Sequence, residues 1–187
     1  MASNTGTLNK PFHPDSSMLS RTALLICLLF SSTVLQAATF SVSTVQELEV
    51  ALATAGNNGQ DDLITLAAGT YTLTSSLSYD SSTTGEDYAI FLQGLGDEVI
   101  LDGSELNSRI LFLRTSGHKS DISLSNLILT NGYAPEGDNG AGLFINIAAS
   151  KLLLENCRII NCFAGAFYYT NHGGGCLLYT SPSPRDR

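Results

Sequence analysis

From residue 61 onward, apolar and polar residues alternate in bursts of three to five, and each burst ends at a turn residue. Residues 63–66, 71–73, 89–92, 99–101 and 110–113 read as short strands with one buried face, punctuated by Gly69, Gly94, Gly96, Gly103 and Gly117. The pattern is clearest over 122–175, where it is written twice. ISLSNLILTN, from Ile122 to Asn131, aligns with LLLENCRIIN, from Leu152 to Asn161, so Asn126 falls on Asn156 and Asn131 on Asn161, 30 positions apart. A second echo sets Leu111, Phe112 and Leu113 beside Leu143, Phe144 and Ile145 at an offset of 32. Periods of this size, built from strands and not helices, predict a parallel β-solenoid with near-regular coils and loops of varying length.

Within the repeat, Ile122 and Leu124 alternate with Ser123 and Ser125, the period of a half-buried strand. Asn126 breaks the alternation and a second short run follows, so the chain turns a corner and keeps its apolar face inward. Asparagine suits such corners because it tolerates the left-handed conformation and its amide bonds nearby backbone. In coils stacked about 4.8 Å apart, equivalent asparagines can also bond each other up the stack. Leu124 and Leu154 are expected inside, Ser125 and Glu155 outside. Residues 75–87 are polar and read as a bulge from an early coil.

The N-terminal residues 1–38 have a different character. Arg21 precedes an apolar run over 23–30, too short to span a bilayer, which is followed by Ser31, Ser32 and Thr33 and by Gln36-Ala37-Ala38. This is the pattern of an N-terminal extension and secretory signal peptide cleaved near Ala37 or Ala38, with the true start at Met1 or Met18. Cys27 sits inside the apolar run and reads as part of it. After a first strand at 40–42, Thr44 and Glu47 form a capping box. Leu48, Ala51, Leu52 and Ala55 then share one helical face and Gly56 ends it, as a helix covering the open end of a solenoid requires. The fold class read from these features is all-β: a single-stranded right-handed parallel β-helix over 39–175 with one N-terminal capping α-helix. Right-handed crossovers are the default for parallel strands.

A formal net charge of −8 argues against nucleic acid and against a polybasic membrane-surface contact. No stretch beyond the leader is long and apolar enough to span a membrane as a helix. Of the four cysteines, Cys157 and Cys162 stand five apart, about 16 Å on an extended segment and beyond disulfide reach. They read as small core or turn residues, with Cys157 in the inward position that Leu127 holds one copy earlier.

The strand, helix and ITLAAGTYTL segment, together with the NGAGLFI, LLLENCRIINC and NHGGG units, resemble right-handed parallel β-helix proteins of the pectate-lyase-like superfamily. Within it, the repeats are similar to those of polymorphic outer membrane proteins and autotransporter passengers. The resemblance implies a non-catalytic secreted or surface-displayed domain, adhesin- or passenger-like, that meets carbohydrate or host and cell-surface ligands. The alternative it implies is a polysaccharide lyase or glycoside hydrolase whose active site lies in further C-terminal coils. By contrast, residues 176–187, with their Ser-Pro-Ser-Pro run, resemble the in-frame translation of a sequencing-library adapter. The natural chain is therefore expected to continue past 175, and Phe163, Phe167, Tyr168 and Tyr169 are expected to stay partly exposed on the last coil.

An enzyme on this scaffold would stack carboxylates from neighbouring coils for acid and base work, or to hold calcium. The acids available are Asp61, Asp62, Asp80, Glu86, Asp87, Asp97, Glu98, Asp102, Glu136, Asp138 and Glu155, most of which read as solvated turn residues. Glu155 and Arg158, either side of the Asn156 corner, read as a weak surface pair. His118, in Gly117-His118-Lys119, lacks the second glycine and the paired aspartates of polygalacturonase-like sites. No catalytic, cofactor-binding or metal-ligating set is assigned, and no cofactor is expected.

Overall fold

The computed structural model describes residues 37–85, 87–115, 121–135, 140–147, 151–165 and 175–180. Contacts divide the chain into Met1–Val34 and Leu35–Arg187, and all described residues belong to the second unit. Residues 1–36, most of the expected leader, lie outside them, as do Glu86, His118, Glu136, Asp138, Phe167, Tyr168 and Tyr169.

The described chain is an all-β parallel solenoid preceded by one short helix. Strand β1 (Ala38–Val42) leads into helix α1 (Val45–Ala55). The first coil then comprises β2 (Asp62–Leu66), β3 (Gly69–Thr72) and β4 (Leu77–Asp80). The second is β5 (Ile90–Gly94), β6 (Val99–Asp102) and β7 (Leu111–Arg114). The third contains β8 (Ile122–Ser125), β9 (Ile128–Thr130), the short β10 (Tyr133–Ala134) and β11 (Leu143–Ile147). The last has β12 (Leu152–Glu155), β13 (Arg158–Ile160), β14 (Phe163–Ala164) and β15 (Cys176–Thr180). Equivalent strands of the described residues stack into four parallel sheets, three large ones in the orders β1-β2-β5-β8-β12, β3-β6-β9-β13 and β4-β7-β11-β15 and the short pair β10-β14.

Register follows the repeat. Leu154 pairs with Leu124 and Ile159 with Leu129 at the offset of 30, and Leu143 pairs with Leu111 at 32. Coil length varies as the uneven spacing requires: Asp62 lies beside Ile90, Ile90 beside Ile122 and Ile122 beside Leu152. Inward leucines and isoleucines from the three large sheets, including Ile64, Leu92, Leu101, Leu113, Leu124, Leu129 and Ile145, form one continuous core. Helix α1 closes its first end with Leu48, Ala51, Leu52 and Ala55 buried. Its capping box is complete: the Thr44 hydroxyl accepts from the Glu47 N–H, and the Glu47 carboxylate accepts from the Thr44 N–H.

All four repeat asparagines adopt positive φ, between 51° and 61°. At the first corner, the Asn156 amide donates to Asn126 Oδ1 at 2.9 Å, and Asn126 Nδ2 donates to the Gly94 carbonyl at 3.4 Å. The ladder therefore exists but starts on backbone, because a Cβ at Gly94 would lie 2.2 Å from the Asn126 carbonyl oxygen and no asparagine fits there.

Two expectations are corrected. Residues 75–87 are not simply a bulge, since Leu77–Asp80 is a strand whose Leu77 and Tyr79 are buried. Their alternation with Ser78 and Asp80 carries the inner face through a polar stretch. Leu154 takes its inward register beside Leu124 but is 41 % exposed, because it belongs to the outermost coil of the stack. Apart from these, the described part of the segment after 175, Cys176–Thr180, runs as a strand beside β11 with Cys176 opposite Leu143.

Candidate binding surface

Strand pairing fixes which outward side chains form rows across neighbouring coils. On the third sheet one outward row is Ser78, Phe112 and Phe144, and the next is Asp80, Arg114 and Asn146. Phe112 and Phe144 stack with centroids 5.3 Å apart and planes 14° from parallel. The Arg109 guanidinium carbon lies 4.7 Å from the Phe144 ring centre and 5.7 Å from that of Phe112, within cation–π range. A hydrogen bond from the Ser76 hydroxyl to the Arg109 carbonyl, 2.7 Å long, fixes the turn that supplies this arginine. In the adjacent row Arg114 approaches Asp80 at 3.8 Å, a loose pair, and Asn146 is exposed. A second stack, Tyr133 on Phe163 at 6.0 Å, stands near the same corner, where the Tyr133 N–H donates to the Ser108 carbonyl.

This is a surface of ring, guanidinium, carboxylate and amide held on strands. Of the four basic residues among the described residues, Arg109, Arg114, Lys151 and Arg158, two stand here. The chain's general acidity is thus locally offset. An apolar ring surface flanked by planar hydrogen-bonding groups suits a ligand with an apolar C–H face and hydroxyls at its edge.

The carboxylates separate instead of assembling. Each strand row holds at most one among the described residues: Asp80 beside Arg114, Asp102 beside Thr130, Glu155 beside Ser125. Asp61 Oδ1 accepts from the Ala89 N–H at 2.8 Å, which ties two coils together. Asp62 does not behave as a turn residue. It is 1 % exposed, occupies the inner-row position that Ile90 and Ile122 fill in later coils, and accepts from Asn58 Nδ2 at 2.6 Å. Asp102 is partly desolvated, which pushes its carboxyl up, but hydrogen bonds from Asn131 and from the Ser104 N–H and hydroxyl outweigh this and leave it below the usual range. Asp87 is exposed.

Glu155 and Arg158 do not pair. The left-handed Asn156 sends Glu155 into the outward row of one sheet and Arg158 into that of the next, beside Ile128. Arg158 instead lines a cleft of about 150 Å³ with Asp97, Glu98, Asn126 and Asn156. No group of three or more metal-type side chains stands together among the described residues.

Cys157 and Cys162 are half-buried and free. Burial pushes both thiols up, and their sulfurs donate to the Leu124 and Ile160 carbonyls at 3.4 and 3.3 Å. These are the properties of protonated packing residues.

Sequence reasoning did not single out Arg109. The Phe112 and Phe144 pairing was readable from their offset, whereas the placement of a turn guanidinium against them required the coil's path. No family model, no curated protein and no solved structure matches the chain.

Proposed function

We propose that the chain is a non-catalytic, extracellular binding domain that presents the outer wall of a β-solenoid to carbohydrate or cell-surface ligands. The finer assignment, to the pectate-lyase-like superfamily with a passenger- or adhesin-like role, rests on the repeat units and on the signal-like leader. The observation that carries the reading is the pre-ordered Phe112–Phe144 stack with Arg109 against it and the Asp80, Arg114 and Asn146 row alongside. Strand-borne side chains lose little freedom on binding, which favours recognition by a rigid surface.

The test is binding of the purified chain to immobilised neutral and acidic polysaccharides, with soluble reducing ends and unsaturated products measured in parallel. Retention without product release is expected, and Phe112→Ala with Arg114→Ala should weaken retention at least tenfold at unchanged circular dichroism. Release of oligosaccharides would favour a lyase or hydrolase instead. Absence of retention on every matrix would remove carbohydrate from the proposal.

A further inference from the structure

β1 begins the first sheet, so among the described residues one of its edges has no neighbouring strand. The ladder to β2 shows which groups that edge carries. The Ala38 N–H donates to the Asp61 carbonyl and the Val42 carbonyl accepts from the Ala67 N–H. In parallel pairing alternate residues bond the same neighbour, so Ala38, Phe40 and Val42 direct their backbone groups at β2 while Thr39 and Ser41 direct theirs away from it. Beside this edge lies an open recess of about 520 Å³ lined by residues of β1 and by Gln46, Glu47, Val50 and Ala51 of α1, with Val50 66 % exposed.

Natural edge strands are usually blunted by lysine, proline, a bulge or a cover. Residues 38–42, Ala-Thr-Phe-Ser-Val, contain neither a charge nor a proline. Their polarity is palindromic about Phe40. An antiparallel partner with the same sequence, centred on Phe40, sets Thr39 opposite Ser41, Ala38 opposite Val42 and Phe40 opposite Phe40. The backbone agrees with this register. In an antiparallel pair, opposite residues alternate between exchanging both hydrogen bonds and exchanging none, and the outward-directed groups belong to the Thr39 and Ser41 positions alone. Four hydrogen bonds form about the two-fold axis, with no group left facing a blank position. Such self-complementarity is what a closed two-fold interface requires and what an unrelated partner would not need.

The geometry points to β1 as a homodimer interface, in which two copies pair antiparallel through Thr39 and Ser41 and bury Phe40 and Val50 in the joined recesses. Cleavage after Ala37 keeps the whole pairing, and cleavage after Ala38 removes the outer Ala38 positions while keeping the Thr39 and Ser41 groups. The two copies repel through their net negative charge, so salt strengthens the dimer.

Sedimentation equilibrium of the purified chain over a range of concentrations tests this. A reversible dimer is expected, tighter at higher salt. Ser41→Pro removes an N–H that faces away from β2, a change edge strands tolerate. With two hydrogen bonds lost by symmetry, it should weaken the dimer roughly thirtyfold while leaving circular dichroism and Tm in place. Val50→Lys, on the exposed side of α1, should weaken it independently. A wild-type chain that is monomeric throughout, or both variants dimerising as wild type does, overturns the proposal. A monomer whose Thr39 and Ser41 amides exchange slowly would place another segment of the same chain on the edge and equally overturns it.

Discussion

Replacing Asn126 by leucine removes an amide that bridges Gly94 and Asn156 and also asks a leucine to hold a φ of 57°. Unpaired polar groups cost about 1–3 kcal/mol and the left-handed backbone adds about 1–2 kcal/mol. Ser125→Leu, one residue earlier on an outward row, should stay within about 0.5 kcal/mol. Urea midpoints of the two variants compare these costs directly, and equal midpoints would show that the ladder contributes nothing. Asp102 gives a pH signature. Its folded pKa lies below the unfolded value, so its stabilisation is complete above the unfolded pKa and is lost as pH falls through the folded one. Asp102→Ala should therefore lower stability at neutral pH by about 1 kcal/mol and flatten the acid limb of a stability–pH curve measured by urea titration.

At the scale of elements, helix α1 is the cap without which the first coil would show its core to water. Leu48→Ala should cost about 2–5 kcal/mol, since Leu48 is fully buried against that coil. Thr44→Ala, which removes only the cap hydroxyl, should cost about 1 kcal/mol in thermal unfolding. This helix was legible in the sequence because its cap, apolar face and stop agree within the thirteen residues from Thr44 to Gly56. The register of β8 with β12 was equally legible, because the two copies keep one length between the same asparagines. β4 was not, because Leu77 and Tyr79 are its only apolar residues and serines and threonines surround them. The burial of Asp62 was not legible for a related reason. Its burial depends on Asn58 and on the loop after α1, a contact that no local pattern around residue 62 signals. The candidate surface was half legible: the aromatic rows follow from coil offsets, but the approach of Arg109 follows from a turn whose anchor, Ser76, belongs to the preceding coil.

The whole solenoid is a stack in which each coil touches the coil before it and the coil after it. Gly132 shows how tightly successive segments are drawn together at a corner, since a Cβ there would lie 2.2 Å from the Ala141 carbonyl oxygen. Gly132→Ala should accordingly lower the melting temperature of the entire domain, with a cooperative transition in calorimetry, and should not merely loosen one turn. The sheets also set how the molecule responds to load. Hydrogen bonds between coils run along the stacking axis, so tension applied between the first coil and the last opens one rung at a time, as a zipper does. Each released coil of about 30 residues lengthens the chain by roughly 100 Å. A force–extension trace should then show repeated teeth of that spacing, in contrast to the single rupture of a fold whose strands are sheared together.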